Sequence, residues 1–308
     1  MYYILYLLNF KVKCIIKNGG SMNDKLINDY KRYLELERNY SPNTIKAYIN
    51  DVNNFNIFIK KDLLKVNPND IRDYIKYINN LTARTISHNI SSLKSFYNYL
   101  LIIELIQINP THEIERPKLE QKIPTYLSLE EVSSLLDIKI ENEFNARDKA
   151  ILELLYSSGI RISELTNIEL ANIDLDDCII RIMGKGSKER IIPLGDYAIN
   201  ALEDYINNYR YKLNKKNSTY VFLNNRGGKL SRQFIFKTIK NYALKKGISK
   251  NVSPHTLRHT FATHLLKNGA DLRIIQELLG HENLSTTQIY THLSNDKLKS
   301  NYEEFYPR

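Results

Sequence analysis

Apolar side chains recur at helical spacing through most of the chain, and the interruptions in that rhythm mark its parts. From Lys25 onward, Tyr30, Tyr33, Leu34 and Leu36 stripe a first, imperfect amphipathic helix up to a break at Asn39-Tyr40. Ser41 then reads as an N-cap with Pro42 at the first helical position, because a hydroxyl satisfies a free backbone N–H and proline has none to lose. That second helix runs through Tyr48, Val52, Phe55 and Phe58. Ile71, Tyr74, Ile75 and Ile78 share one side of a third over Asn69–Asn79. Ile86, Ile90, Leu93, Phe96, Tyr97 and Leu100 stripe a fourth, from about Ala83 to Leu101.

Periodicity stops between Asn109 and Pro124, where three prolines and alternating charges predict a linker. Beyond it, Ser128 with Glu131 three residues on forms a capping box, and a helix over Arg147–Ser158 ends at Gly159. Cys178–Met183 alternates as a strand, and Gly184-Lys185-Gly186-Ser187 turns it into a return strand, Arg190–Leu194. Helices over Tyr197–Tyr211, Ser231–Lys246, His255–Lys267, Asp271–Leu279 and Ser285–Leu293 follow. The pattern predicts a mainly α protein: a helical domain over 22–109, a linker over 110–124, and a mostly helical domain over 125–308 with a small antiparallel β-sheet.

The first residues fall outside this scheme. Tyr2–Phe10 is apolar but too short to span a bilayer, and Lys11, Lys13 and Lys17 follow the run, where a secretory signal has its cations first. Asn18-Gly19-Gly20-Ser21 can be encoded by a ribosome-binding stretch, so Met22 is the expected start and 1–21 an upstream leader.

At 43% hydrophobic and 25% charged, the composition is that of a soluble globular protein. A net charge of +10 with a pI near 9.3 points to a polyanionic partner. Cys14 and Cys178 are far apart and lack neighbours at metal-ligand spacing, which supports neither a disulfide framework nor a zinc site and fits the cytosol.

A polyanion suggests phosphate chemistry. Breaking a DNA phosphodiester without metal requires a nucleophile, fixed cations on the nonbridging oxygens, and an acid for the departing oxygen. Arginine suits the clamp, since its planar fork stays charged and binds phosphate bidentately. His255 and Arg258, at i and i+3, share a face at the start of a helix whose free N–H groups point the same way. His281 follows Gly280, the expected residue just past a helix end, and Tyr290 lies on a short helix opened by Ser285-Thr-Thr-Gln288. Upstream, Arg161 sits in the turn after Gly159 with Glu164 in the next helix's first turn, and Lys185 stands at the hairpin tip. Singly, each has an ordinary reading: surface cations, a solvated hairpin, one tyrosine among 22. The fourth helix also presents Thr82, Arg84, Thr85, Ser87, His88, Ser91 and Lys94, either a phosphate-contacting face or a solvated one.

In order and spacing, Arg161, Lys185, His255, Arg258, His281 and Tyr290 resemble the active-site series of the tyrosine recombinase (phage integrase) family. The surrounding text is similar too: GIRISEL, GKGSKERIIPLG, HTLRHTFATHLL and LLGHENLSTTQIYTH, with ERNYSPNTIKAY in the first domain. The resemblance runs from Lys25 to Arg308 and is greatest to the bacterial Xer recombinases, which resolve chromosome dimers.

That resemblance implies an N-terminal SAM-like core-binding domain, a catalytic domain, and strand exchange through a 3′-phosphotyrosine on Tyr290 with neither cofactor nor metal. Arg161 and Arg258 would clamp the nonbridging oxygens, and His255 and His281 would add hydrogen bonds, either one accepting the tyrosine proton. Lys185 would protonate the leaving 5′ oxygen, and Glu164 would orient part of the set. It further implies a duplex recombination site as partner, contacted through Lys46, Arg84, Thr85, His88 and Lys94, and a homo- or hetero-tetramer on two sites. A second Xer-type recombinase and an activating cell-division protein belong to the same expectation, as do a cytoplasmic, nucleoid-associated location away from membranes and a tail helix, Asn295–Tyr306, docking into a neighbour. One departure concerns Thr44–Phe55, whose only cation is Lys46, fewer than the family pattern leads one to expect. Other readings stay open on the sequence: an integrase or resolvase of a mobile element, a non-catalytic DNA-binding relative, and strand relaxation by the same phosphotyrosine chemistry.

Overall fold

The computed structural model describes residues 21–118, 125–183, 189–280 and 295–307. The chain divides into two compact units near residue 122.

The first unit is helical: α1 (Met22–Leu36), α2 (Pro42–Ile59), α3 (Pro68–Tyr77) and α4 (Ala83–Ile102). Local chemistry sets its starts. Ser41 Oγ accepts from the Thr44 N–H at 3.2 Å, Asn67 and Asp70 cap α3 reciprocally, and Thr82 Oγ1 accepts from the Thr85 N–H. Asn39, in the left-handed region at φ 52°, makes the break before α2. Helix α1 starts three residues earlier than its stripe suggests and buries Leu26, Ile27, Tyr30 and Leu34, while Leu36 is 82% exposed. Two residues past Leu34 is roughly 200° around the helix, so Leu36 faces away from the core. Tyr30, Val52, Phe55, Tyr97 and Leu100 are closed off completely or nearly so. Polar links also cross this core: buried Asp51 of α2 accepts from Ser92 Oγ of α4 at 2.7 Å and pairs with His88 Nδ1 at 2.6 Å, and Tyr74 of α3 donates to Asn89 Oδ1 of α4 at 3.1 Å.

The second unit comprises α5 (Leu129–Leu136), α6 (Glu143–Ser158), the single turn α7 (Ile162–Leu165), a β-sheet, α8 (Asp196–Asp204), α9 (Arg210–Leu213), α10 (Arg232–Lys245), α11 (Pro254–Lys267), α12 (Leu272–Leu279) and α13 (Asn295–Phe305). Its sheet is antiparallel with order β1 (Ile173–Asp174), β2 (Ile179–Met183), β3 (Glu189–Pro193). Strand β1, only two residues long, was beyond the reach of an alternation pattern. The expected turn at Gly184–Ser187 and helix Ser285–Leu293 lie outside the described residues.

Helix α6 is the centre of the unit. It starts at Glu143, capped by Asn142, four residues before the expected start at Arg147, and every position from Ala150 to Ser158 is buried. Arg147 still needs partners there, and finds them in Asp148, the Leu223 carbonyl and the ring of Phe234. The helix expected over Tyr197–Tyr211 is broken by a wide π turn at Tyr205–Tyr209, after which buried Arg210 donates to the carbonyls of Ser218, Tyr220 and Val221. Tail helix α13 packs on its own domain. Buried Tyr302 donates to the Ser157 carbonyl at 3.0 Å, accepts from the Gly195 N–H at 3.1 Å, and stacks on Tyr306 at 4.7 Å. Among the described residues no helix is long and apolar enough to cross a membrane.

Candidate active site

Helix α6 ends at Gly159, left-handed at φ 57°, where a Cβ would stand 2.5 Å from Phe261 Cδ1 of α11. Only glycine lets the chain turn so close to α11. Two residues on, Arg161 caps α7: its backbone N–H donates to Glu164 Oε2 at 2.7 Å and its Nη1 to Glu164 Oε1 at 3.1 Å.

Arg258 comes from α11, whose start is fixed by Ser253 at the N-cap and Pro254 behind it. It donates through Nη1 to the Gly159 carbonyl at 2.6 Å and through Nη2 to the Leu279 carbonyl at 2.7 Å. Arg161 Nη2 reaches the Gly280 carbonyl at 2.9 Å. Both arginines therefore meet at the end of α12, where unpaired carbonyls and the helix dipole favour cations. With five N–H donors apiece, each keeps donors in reserve.

A third arginine completes the cluster. Arg190 of β3 donates through Nε to the Leu278 carbonyl at 3.1 Å, and through Nη1 and Nη2 to the two Glu164 oxygens at 3.0 and 2.8 Å. Consecutive carbonyls of α12, Leu278 through Gly280, thus each hold one guanidinium. Burial on its own would raise the Glu164 carboxyl, but hydrogen bonds from Arg190 and the Arg161 N–H, with the charges of both arginines, bring it below its ordinary value. Burial first, and the Arg161 cation second, lower Arg258 to about 10.

The structure thus brings Arg161, Glu164 and Arg258 together at one helix end, as cations and one carboxylate suited to hold an anion. His255 lies exposed one turn before Arg258 on α11. Lys185, His281 and Tyr290 lie outside the described residues, between β2 and β3 for the first and directly after Gly280 for the second. In the first unit Lys46, Arg84 and Thr85 are exposed and Lys94 partly so, while half-exposed His88 is held by Asp51. Among the described residues no group of His, Cys, Asp or Glu is placed to hold a metal ion.

Arg190 is the residue that sequence reasoning passed over. Its signal was present in the strand pattern: in register with Ile182, it shares a face with the buried Ile180, Ile182 and Ile192. A cation on the apolar face of a strand requires a buried partner.

The Phage integrase family profile matches residues 125–297, and that of the Phage integrase N-terminal SAM-like domain matches residues 27–102. Tyrosine recombinase XerD of Oceanobacillus iheyensis is 42% identical, covering 93% of this chain and 100% of its own length. Tyrosine recombinase XerD of Staphylococcus saprophyticus is 43% identical, covering 92% of this chain and 99% of its own. Among solved structures, the post-cleavage complex of the XerH site-specific recombinase with a palindromic difH substrate has a similar fold, with a TM-score of 0.69, 21% identity, and coverage of 97% of this chain and 93% of that one. With its site geometry, both profiles and relatives matching over nine-tenths of its length, the chain belongs to the phage integrase family of tyrosine-type, site-specific DNA recombinases.

Proposed function

We propose that the chain cuts and rejoins DNA strands at a recombination site through a 3′-phosphotyrosyl bond to Tyr290, and that its task is the Xer one of resolving chromosome dimers. The observation that carries this reading is the meeting of Arg161 and Arg258 on the last carbonyls of α12, ten residues before Tyr290. Fixed guanidinium donors at one point are what a phosphorane's nonbridging oxygens require.

The Tyr290 oxygen attacks the scissile phosphorus while its proton passes to His255 or His281. The tyrosine–phosphorus bond forms as the bond to the 5′ oxygen breaks, and Lys185 gives that oxygen a proton. Phenol and ammonium have ordinary pKa values of about 10 and 10.4, so the phenol loses its proton as it attacks while the lysine is already an acid. The phosphotyrosine retains the ester bond, and a 5′ hydroxyl from another strand reverses the steps without ATP.

Duplex contacts run through Lys46, Arg84, Thr85, His88 and Lys94, where short hydroxyls and cations suit phosphate. Four protomers work on two sites in the cytoplasm, on the nucleoid, with a second recombinase of the same type and an activating cell-division protein as further partners. Exchange of α13 into a neighbour starts from the docking on its own domain that Tyr302 now makes. The relatives named XerD favour the chromosomal task over a mobile element.

The test is incubation of the full chain with nicked duplexes from chromosome-terminus sites, in chelator and without ATP. An SDS-resistant protein–DNA adduct with a free 5′ hydroxyl supports the reading; cleavage that needs a divalent metal or leaves no adduct contradicts it.

A further inference from the structure

We propose that Arg190 is a positioning residue for strand cleavage: by occupying both oxygens of Glu164, it leaves Arg161 free to act as a net cation toward the scissile phosphate. The inference rests on the phosphotyrosyl reading above. It goes further by giving a task to a residue that the proposed active-site series does not contain.

The geometry divides the two arginines around their shared carboxylate. Arg190 binds it side-on through two nitrogens, and the Arg190 and Glu164 side chains are only 13% and 8% exposed. Arg161 touches the same carboxylate through a single side-chain nitrogen and stays 42% exposed. Arg190 is therefore the buried counter-ion, and Arg161 the one that faces outward. The remaining nitrogen of Arg190, Nε, fastens β3 to the Leu278 carbonyl, and its flat guanidinium lies against Gly280: a Cβ there would be 3.2 Å from Arg190 Cζ. One side chain thus ties together β3, α7 and the end of α12, the elements that flank Lys185, Arg161 and His281 in sequence.

Charge explains why such a residue matters. Three guanidinium cations with one carboxylate leave a net +2 for the cluster, which balances a dianionic phosphorane. Without Arg190 the cluster falls to +1, and among the described residues the buried carboxylate is left with one guanidinium partner, Arg161. The cation meant for phosphate is then cancelled and drawn inward. A fold staple alone would have no such consequence, so the two roles can be separated.

The experiment is single-turnover cleavage by the full chain on a nicked duplex. Its site is taken from sequencing the adducts that wild type forms on random-sequence DNA. A second duplex carries a methylphosphonate at the scissile position, which removes one negative charge. Arg190→Met should cleave the phosphate roughly ten- to a hundredfold more slowly, with duplex binding within about twofold because many phosphate contacts remain. Much of the loss should return on the methylphosphonate and when Glu164→Gln is added, since each removes a charge that Arg190 balanced. Arg190→Lys keeps the charge without the two-pronged grip and should fall between. Wild-type speed in Arg190→Met overturns the proposal, as does a loss of equal size on both duplexes and in the double variant. If Arg190→Met shows no cooperative thermal transition, Arg190→Lys is judged by the same comparison. A wild type that forms no adduct removes the phosphotyrosyl reading and this inference together, whereas an active wild type with an indifferent Arg190 removes only the inference.

Discussion

Arg258 donates to the carbonyl of Gly159 at 2.6 Å, so the helix presenting one proposed phosphate clamp is fastened to the turn presenting the other. Gly159 reads as a helix stop and Arg258 as a cation near a helix start; their contact across 99 residues makes them one device.

Arg258→Ala should slow strand cleavage by roughly 10²–10³-fold, the scale for one preorganised donor on a developing charge. Gel-shift affinity for the duplex should change little. Equal losses of affinity and cleavage would recast Arg258 as a ground-state anchor.

Glu164 makes stability depend on pH. Its carboxyl lies below its ordinary value of 4.5 in the folded chain, so its contribution is present in full above that value and drains away as pH falls through the folded pKa. Glu164→Gln should therefore cost about 3 kcal/mol at neutral pH, the scale for breaking a buried ion pair. Urea unfolding across pH 7 to 3 should show the gap to wild type closing at the acid end. A gap that is constant with pH would mean that the carboxylate is not ionised by its arginines.

Tyr302→Phe keeps the ring of the tail helix but leaves the Ser157 carbonyl and Gly195 N–H without their hydroxyl partner. The variant should melt earlier, by about 1–3 kcal/mol of lost stability. If the tail also exchanges between subunits, the looser docking should raise the yield of assembled complexes on DNA. An unchanged melting temperature would mean that this docking does not persist in solution.

Much of this was legible because it is local. Ser41-Pro42, Ser128 with Glu131, and Gly159 and Gly280 announce helix ends through chemistry confined to a few residues, and each acts as expected. What the pattern missed depends on distant partners. Leu36 counts as apolar in any window, yet it lies off the buried stripe; the π turn at Tyr205–Tyr209 continues an unbroken helical rhythm in sequence. Arg161, Glu164 and Arg258 could be chosen from motif text, but not the carbonyls of α12 that gather them. Arg190 was hidden among the cations of a basic hairpin, although its place on the apolar face of β3 was the clue.

Lys185 separates two readings. As a solvated cation, its change to Ala should cost almost nothing at moderate salt. As the leaving-group acid, its loss should slow cleavage by about 10²–10⁴-fold. A substrate with sulfur at the bridging 5′ position should then restore the rate, since a thiolate leaves unprotonated. The same substrate should not rescue Arg161→Ala. If sulfur leaves the Lys185 variant slow, the acid is another residue, with His255 or Lys188 next to test.

The most direct measurement is identification of the amino acid bound to DNA. Wild-type chain is trapped on a nicked duplex, digested with nuclease and protease, and the nucleotide-bearing peptide is sequenced by mass spectrometry. The account predicts a single 3′-linked nucleotide on Tyr290 and, for Tyr290→Phe, normal duplex binding with no adduct. A nucleotide on any other residue, or an SDS-resistant adduct from Tyr290→Phe, would contradict it.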